Sequence, residues 1–472
     1  MEQESSRIEV AMGIVGSVMV PHPPLILPEV GRGEESVIAE TAASYQKAAA
    51  FIAELQPETI ILSSPHSMMY ADYLHISPGE CAEGNMRGFG APQVQISTTY
   101  DNELSALLCE NAQKAGIPAG YLGERDPSLD HGTMVPLYFI LQNYTDFKLV
   151  RIGLSGISLA EHYRFGQLIQ TTADQLNRRV LYVASGDLSH KLKESGPYGY
   201  DPHGPVYDEK VMDSMSRAAF GELLTFDPVL CDKAAECGHR SFTIMGGALD
   251  GKAVEVNRLC YQDATGVGYG ICTYRVTGED LSRCFLSDYL MQEERRLLQQ
   301  KAGEDAYVSL ARKVIENRIG KGIQIRMPSD LPAEMYYVRA GVFVSLHIRG
   351  ALRGCIGTIS PARECVAQEI MENAISAATG DPRFEPLQKE ELEQLEYSVD
   401  VLGEAEYIDS LSQLNVKEYG VIVSADSRRG LLLPDLDGVD SVEEQVHIAR
   451  QKAGIRDDEP VKLQRFKVTR HY

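Results

Sequence analysis

Four histidines in the N-terminal half stand where they could share one task. His22 lies in VPHPPL, His66 in SSPHS and His190 at the close of SGDLSH, each directly after a run that reads as a β-strand; His131 lies in SLDHGTMVPL, just ahead of a helical pattern. A neutral imidazole offers a lone pair to a cation, and a ring with a pKa near 6.5 exchanges protons at physiological pH. Two such rings plus a carboxylate on one face of a divalent ion leave its other positions open to substrate, dioxygen or water, as in non-haem Fe(II) sites, and zinc accepts the same donors. The loop AAECGHRSF supplies the third donor: Glu236, or in its place the adjacent Cys237, which would soften the site towards zinc or copper. With His22, His66 and Glu236 as ligands, His190 and His131 are left for acid/base work, and Asp187, three residues before His190, is placed to orient that ring or to contact substrate. Each residue alone has a plainer reading: a structural histidine, a helix N-terminal carboxylate for Glu236, a turn residue for Asp187. Their joint placement carries the functional reading.

That placement depends on the elements behind it. In an open parallel sheet, ligands bind beyond the carboxyl ends of the strands, so histidines at three such ends converge on one crevice. Residues 13–20, 58–63, 148–154, 179–185 and 267–274 read as strands, with helical patterns over 36–55, 101–115, 158–177 and 241–249 between them. The expected class is α/β, a mostly parallel sheet flanked by helices, over residues 1–277. His75, His162 and His203 read as surface or packing residues, although His203 falls in a Gly/Pro-rich stretch, DPHGP, that could form a lid. Residues 278–304 turn charged and Gln-rich and read as a helical linker. From 305 to 472, helices (YVSLARKVIENRI, ECVAQEIMENAISAAT) and strands (YVRAGVFVSLHI, EYSVDVL, YGVIVSA, EPVKLQRFKV) follow without regular alternation, which predicts a smaller α+β domain.

The 472 residues carry 45 Lys+Arg against 67 Asp+Glu, a formal charge of -22 that disfavours nucleic acid and acidic membranes as partners. No apolar run approaches the roughly 20 residues of a bilayer crossing, and the acidic N-terminus lacks the basic region of a secretory signal, so a cytoplasmic location is expected. Nine cysteines, an odd number with no C-x-x-C pair, argue against a disulfide framework. A homodimer is the default expectation for oligomeric state.

VPHPPL, SSPHS, DHG at 130–132, SGDLSH and the ECG segment occur in an order that resembles the class III (LigB-type) extradiol ring-cleavage dioxygenases and their Memo-like relatives, over about residues 13–275. The resemblance implies Fe(II) on His22, His66 and Glu236, catalytic histidines at His131 and His190, and a small catecholic substrate that chelates the iron. Memo-like proteins carry Cys in the third-ligand segment, and Glu236 and Cys237 stand side by side here. The C-terminal part resembles the AMMECR domain through ALRGCIGTISP at 351–361 and GDPRFEPLQKEELEQLEYSVDVL at 380–402. In its LRGCIG motif, Arg353 and Cys355 read as a thiol beside a cation or as a buried cysteine in a tight strand-turn. The two parts together resemble AmmeMemoRadiSam systems, which implies a radical S-adenosylmethionine protein as partner; this chain has no C-x-x-x-C-x-x-C motif of its own.

Overall fold

Uninterrupted apolar runs such as TIIL and LYVA suit strands covered on both faces, the condition of a parallel sheet between helical layers. The computed structural model, which describes residues 12–123, 128–348, 350–436 and 438–472, shows that arrangement in the first of two units, Met1–Met291 and Gln292–Tyr472. Its six-stranded sheet runs Lys148–Gly153, Thr59–Ser64, Arg179–Ser185, Gly13–Val20, Tyr269–Glu279, Lys252–Gln262. The first four strands are mutually parallel; the last two are antiparallel additions. Successive side chains divide between two cores, as the two-residue repeat of a strand requires. Ile61, Val180 and Tyr182 pack with Tyr163, Ile169 and Phe242 of the helices Leu159–Gln175 and His239–Ala248. Ile60, Leu62 and Val183 pack with Tyr45, Ile52 and Val135 of the helices Ala39–Leu55 and His131–Ile140.

The parallel strands therefore end along one edge, where His22, His66 and the 185–190 loop emerge. Three sequence expectations change here. The expected strand at 267–274 extends over Tyr269–Glu279 and runs antiparallel to Gly13–Val20. DPHGP is not a free loop: His203 opens the helix His203–Ser216, whose first turn tolerates Pro205 because its amide would have no intrahelical acceptor. His131 is the first residue of its helix rather than a loop residue before it, with the Asp130 side chain accepting the Thr133 amide as cap.

The second unit is α+β. Its helix Ala306–Ile315 is capped by Asp305 and continues into a π-helical turn, Glu316–Gly320. This helix and Val366–Thr379 share a core with the antiparallel sheet Ala351–Gly357, Val342–Ile348, Leu395–Leu402, Val468–His471. A second sheet, Glu406–Ile408, Lys462–Phe466, Gly420–Ala425, Arg428–Leu432, packs on the helix Val442–Lys452. Among the described residues, no helix is long and apolar enough to cross a membrane.

Candidate metal centre

His22 is 1% exposed and follows directly on the strand Gly13–Val20, which lies between Arg179–Ser185 and Tyr269–Glu279. Its Nδ1 lies 3.0 Å from Ser185 Oγ, and that hydroxyl donates to the carbonyl of Gly132 at 2.6 Å. A carbonyl only accepts, so the serine proton is committed and Nδ1 of His22 is the donor in the pair. The lone pair of His22 is thereby fixed on Nε2. Burial, reinforced by the neighbouring His66, lowers the ring's pKa to about 3, so it stays neutral.

Nε2 of His22 faces two other donors: His66 Nε2 at 3.0 Å and Cys237 Sγ at 3.7 Å. The three donor atoms lie within 4.8 Å of one another, a set able to hold a metal ion. His66 is the open member, exposed beyond the Thr59–Ser64 strand with its amide donating to Ser64 Oγ. A cavity of about 220 Å³, bordered by His66, Met68, Asp130 and Arg151, adjoins it. The chemistry of this set fits a cation. Two imidazole nitrogens and a thiol sulfur, soft and borderline donors converging from three segments, are a set that zinc or iron accepts. The Cys237 thiol, pushed well above its ordinary pKa by burial and by the carboxylates of Asp187 and Glu236, needs such a charge to ionise.

Two glycines make the cysteine's position attainable. A Cβ on Gly186 would lie 2.2 Å from Gly238 Cα, and one on Gly238 would lie 2.9 Å from the Asp187 carbonyl, so only bare backbone lets the ECG loop press onto the end of the Arg179–Ser185 strand. The Gly238 amide then donates to Asp187 O at 3.1 Å, and the Asp187 amide points at Cys237 Sγ at 3.3 Å.

Glu236, preferred in the sequence as third ligand, is not brought to the histidines. Its Oε2 accepts the His239 amide at 2.6 Å at the start of the helix His239–Ala248, the helix-terminal role of a carboxylate. Cys237 occupies the place expected for it. Asp187 is 6% exposed; its Oδ1 accepts the His22 amide at 2.8 Å, and burial raises its pKa to about 6. With His190 and Cys237 it forms a second triad of donors, sharing the thiol with the first. The His190 ring packs edge-on against Tyr198, and its buried Nδ1 has no hydrogen-bond partner among the described residues. The His131 ring lies 3.9 Å from that of His66, centroid to centroid, and burial beside His66 lowers its pKa to about 3. Of the other histidines, His162 is buried with Nδ1 on the Ser158 carbonyl, a structural role, and His203 pairs with Asp201. Ser185, which fixes the His22 tautomer, had no signal in the sequence beyond its place at a strand end.

Residues 16–272 match the family model of the catalytic LigB subunit of aromatic ring-opening dioxygenase, and residues 308–471 match AMMECR1. The protein CA_C1420 of Clostridium acetobutylicum is 39% identical over 98% of this chain and 99% of its own length. The chain belongs to the LigB family and carries an AMMECR1 domain. A Thermotoga maritima protein is 49% identical over 36% of this chain and 98% of its own length. Among solved structures, PH0010 of Pyrococcus horikoshii (34% identity, 35% of this chain, 88% of that one, TM-score 0.33) and JW3007 of Escherichia coli (16% identity, 55% and 99%, TM-score 0.36) are similar to it.

In the AMMECR1 domain, LRGCIG is a strand rather than a turn. It pairs with Val342–Ile348 so that Cys355 lies opposite Ser345, whose hydroxyl donates to Sγ at 3.2 Å. Arg353 is bound to Glu391 through Nε and Nη2, and burial raises the Cys355 thiol pKa. Cys355 therefore stands as a protonated packing residue.

Proposed function

We propose that the LigB domain is a metal-dependent oxidoreductase that holds a cation on His22, His66 and Cys237 and acts on a small aromatic diol at the open side of the site. The reading rests on the convergence of these three donor atoms, from segments far apart in the chain, beside a cavity. When bound, the cation, Fe(II) with zinc as the alternative, supplies a Lewis-acidic point where diol and dioxygen meet. The chain's own residues do the rest. His22 presents its lone pair because Ser185 holds the opposite nitrogen protonated. His131, kept neutral by burial beside His66, offers a hydrogen bond that orients a substrate hydroxyl at the open side of the site. His190, with Asp187 next to it, receives or returns a proton through Nδ1, which has no partner among the described residues.

Anaerobic purification with metal analysis, followed by oxygen uptake on a panel of catechols, tests this. His22→Ala should lose both metal and turnover, and His190→Ala turnover alone. Cys237 in place of a carboxylate favours a second reading, a metalloprotein component that assists a radical S-adenosylmethionine partner. If iron-reconstituted protein consumes no oxygen with any diol, that second reading takes over.

A further inference from the structure

A second cavity lies in the AMMECR1 domain, remote in sequence from every residue of the metal centre. It measures about 750 Å³, within the range of small-molecule sites. Its floor is apolar, made by Ile325 with Met371 and Ile375 of the helix Val366–Thr379, and its rim carries Arg318, Arg339 and Arg363.

The three arginines differ in what they already bind. Arg363 is paired with Glu372. Arg339 uses Nε on the Arg363 carbonyl at 3.3 Å, and its two terminal nitrogens have no partner among the described residues. Arg318 has no hydrogen bond or ion pair among the described residues, and the π-helical turn Glu316–Gly320 presents it at the cavity. Such turns break the regular helix ladder and often stand at functional sites. The rim's other carboxylate, Glu364, offsets one of these two free charges and leaves the other, on a chain whose net charge is -22.

The rim is also built in advance. Glu369, 1% exposed, accepts the Thr358 hydroxyl at 2.9 Å, the Arg363 amide at 2.6 Å and the Ala362 amide, so one buried carboxylate holds the loop that carries Arg363. A loop fixed before binding loses little entropy when a ligand arrives.

We propose that this cavity is a binding site for a small organic anion: an apolar body seated on Ile325, Met371 and Ile375, with a carboxylate or phosphate held by Arg318 and Arg339. Octanoate and octyl phosphate, below their micellar concentrations, are the probes for calorimetric titration of the full chain, with octanol and inorganic phosphate as the halves of the ligand. The expected result is saturable binding of one equivalent of at least one probe, with octanol and phosphate each weaker by about tenfold or more. The two probes distinguish a carboxylate from a phosphate head group. Arg318→Gln/Arg339→Gln should weaken the preferred probe by about tenfold or more, at unchanged melting temperature because both side chains are exposed. Met371→Glu, which puts a carboxylate where the apolar body would sit and repels the anionic head, should abolish binding. Absence of saturable binding, equal affinity for octanol, or full affinity in the double arginine variant overturns the proposal.

Discussion

Ser185 decides which nitrogen of His22 faces the other donors, and backbone rather than side-chain chemistry decides that Cys237, not Glu236, joins it. Ala235 takes a left-handed conformation (φ 52°) and Gly238 seats against Asp187, so the chain turns the thiol inward and leaves the carboxylate on the His239 amide. Two adjacent donors on one loop cannot be told apart from residue types, which is why the sequence located the segment but not the atom. Cys237→Ala should therefore abolish stoichiometric metal binding. Glu236→Gln should keep it and cost only about 1 kcal/mol of stability, a difference read by metal analysis beside thermal melting. A second residue sets a pH dependence. Asp208, buried, accepts the Ser189 amide at 2.7 Å and the Tyr261 hydroxyl at 2.8 Å, and burial raises its pKa from 3.8 to about 7. The folded chain holds this proton after the unfolded chain has lost it. The associated stability is thus full below pH 3.8 and is lost as pH rises through about 7. Asp208→Asn, which mimics the protonated acid, should flatten that decline, gaining up to about 4 kcal/mol relative to the wild type at pH 8 in denaturant titrations.

At the scale of elements, the four parallel strands were legible because strands buried on both faces leave an unbroken apolar run in the sequence. Arg179–Ser185 coincides with its expected bounds for that reason. The edge strand Lys252–Gln262 was not legible: KAVEVNRLCYQ is half polar and only partly buried, a pattern shared with loops. The hairpin Cys81–Met86 and Ala91–Thr99 escaped on the same ground, with exposed residues through both strands. The histidines could be placed because they follow the legible strands, whereas the loops that bring Cys237 and Asp187 to them have no periodicity to read. Gly238 is the sharpest test of that loop packing. An alanine there would set its Cβ 2.4 Å from the Phe242 ring as well as against Asp187. Gly238→Ala should cost about 2 kcal/mol or more in chemical unfolding and lower metal affinity together with stability.

At the scale of the whole molecule, the two units have separate cores, and the AMMECR1 match, residues 308–471, falls wholly within the second. Residues 292–472 expressed alone should fold cooperatively, with the dispersed amide spectrum of a packed domain; a collapsed, ANS-binding product would show instead that the first unit is needed. Within the first unit, His22 meets a partner 44 residues away in His66 and one 215 residues away in Cys237. Contacts of that span form late, after the strands have found their register, and an ion that joins them acts as a rivet across loops closed only in the native state. A metal bound at this site should consequently govern how long the fold lasts and not how fast it arises. Stripping it with a chelator will raise the unfolding rate in stopped-flow traces and leave the refolding limb where it was.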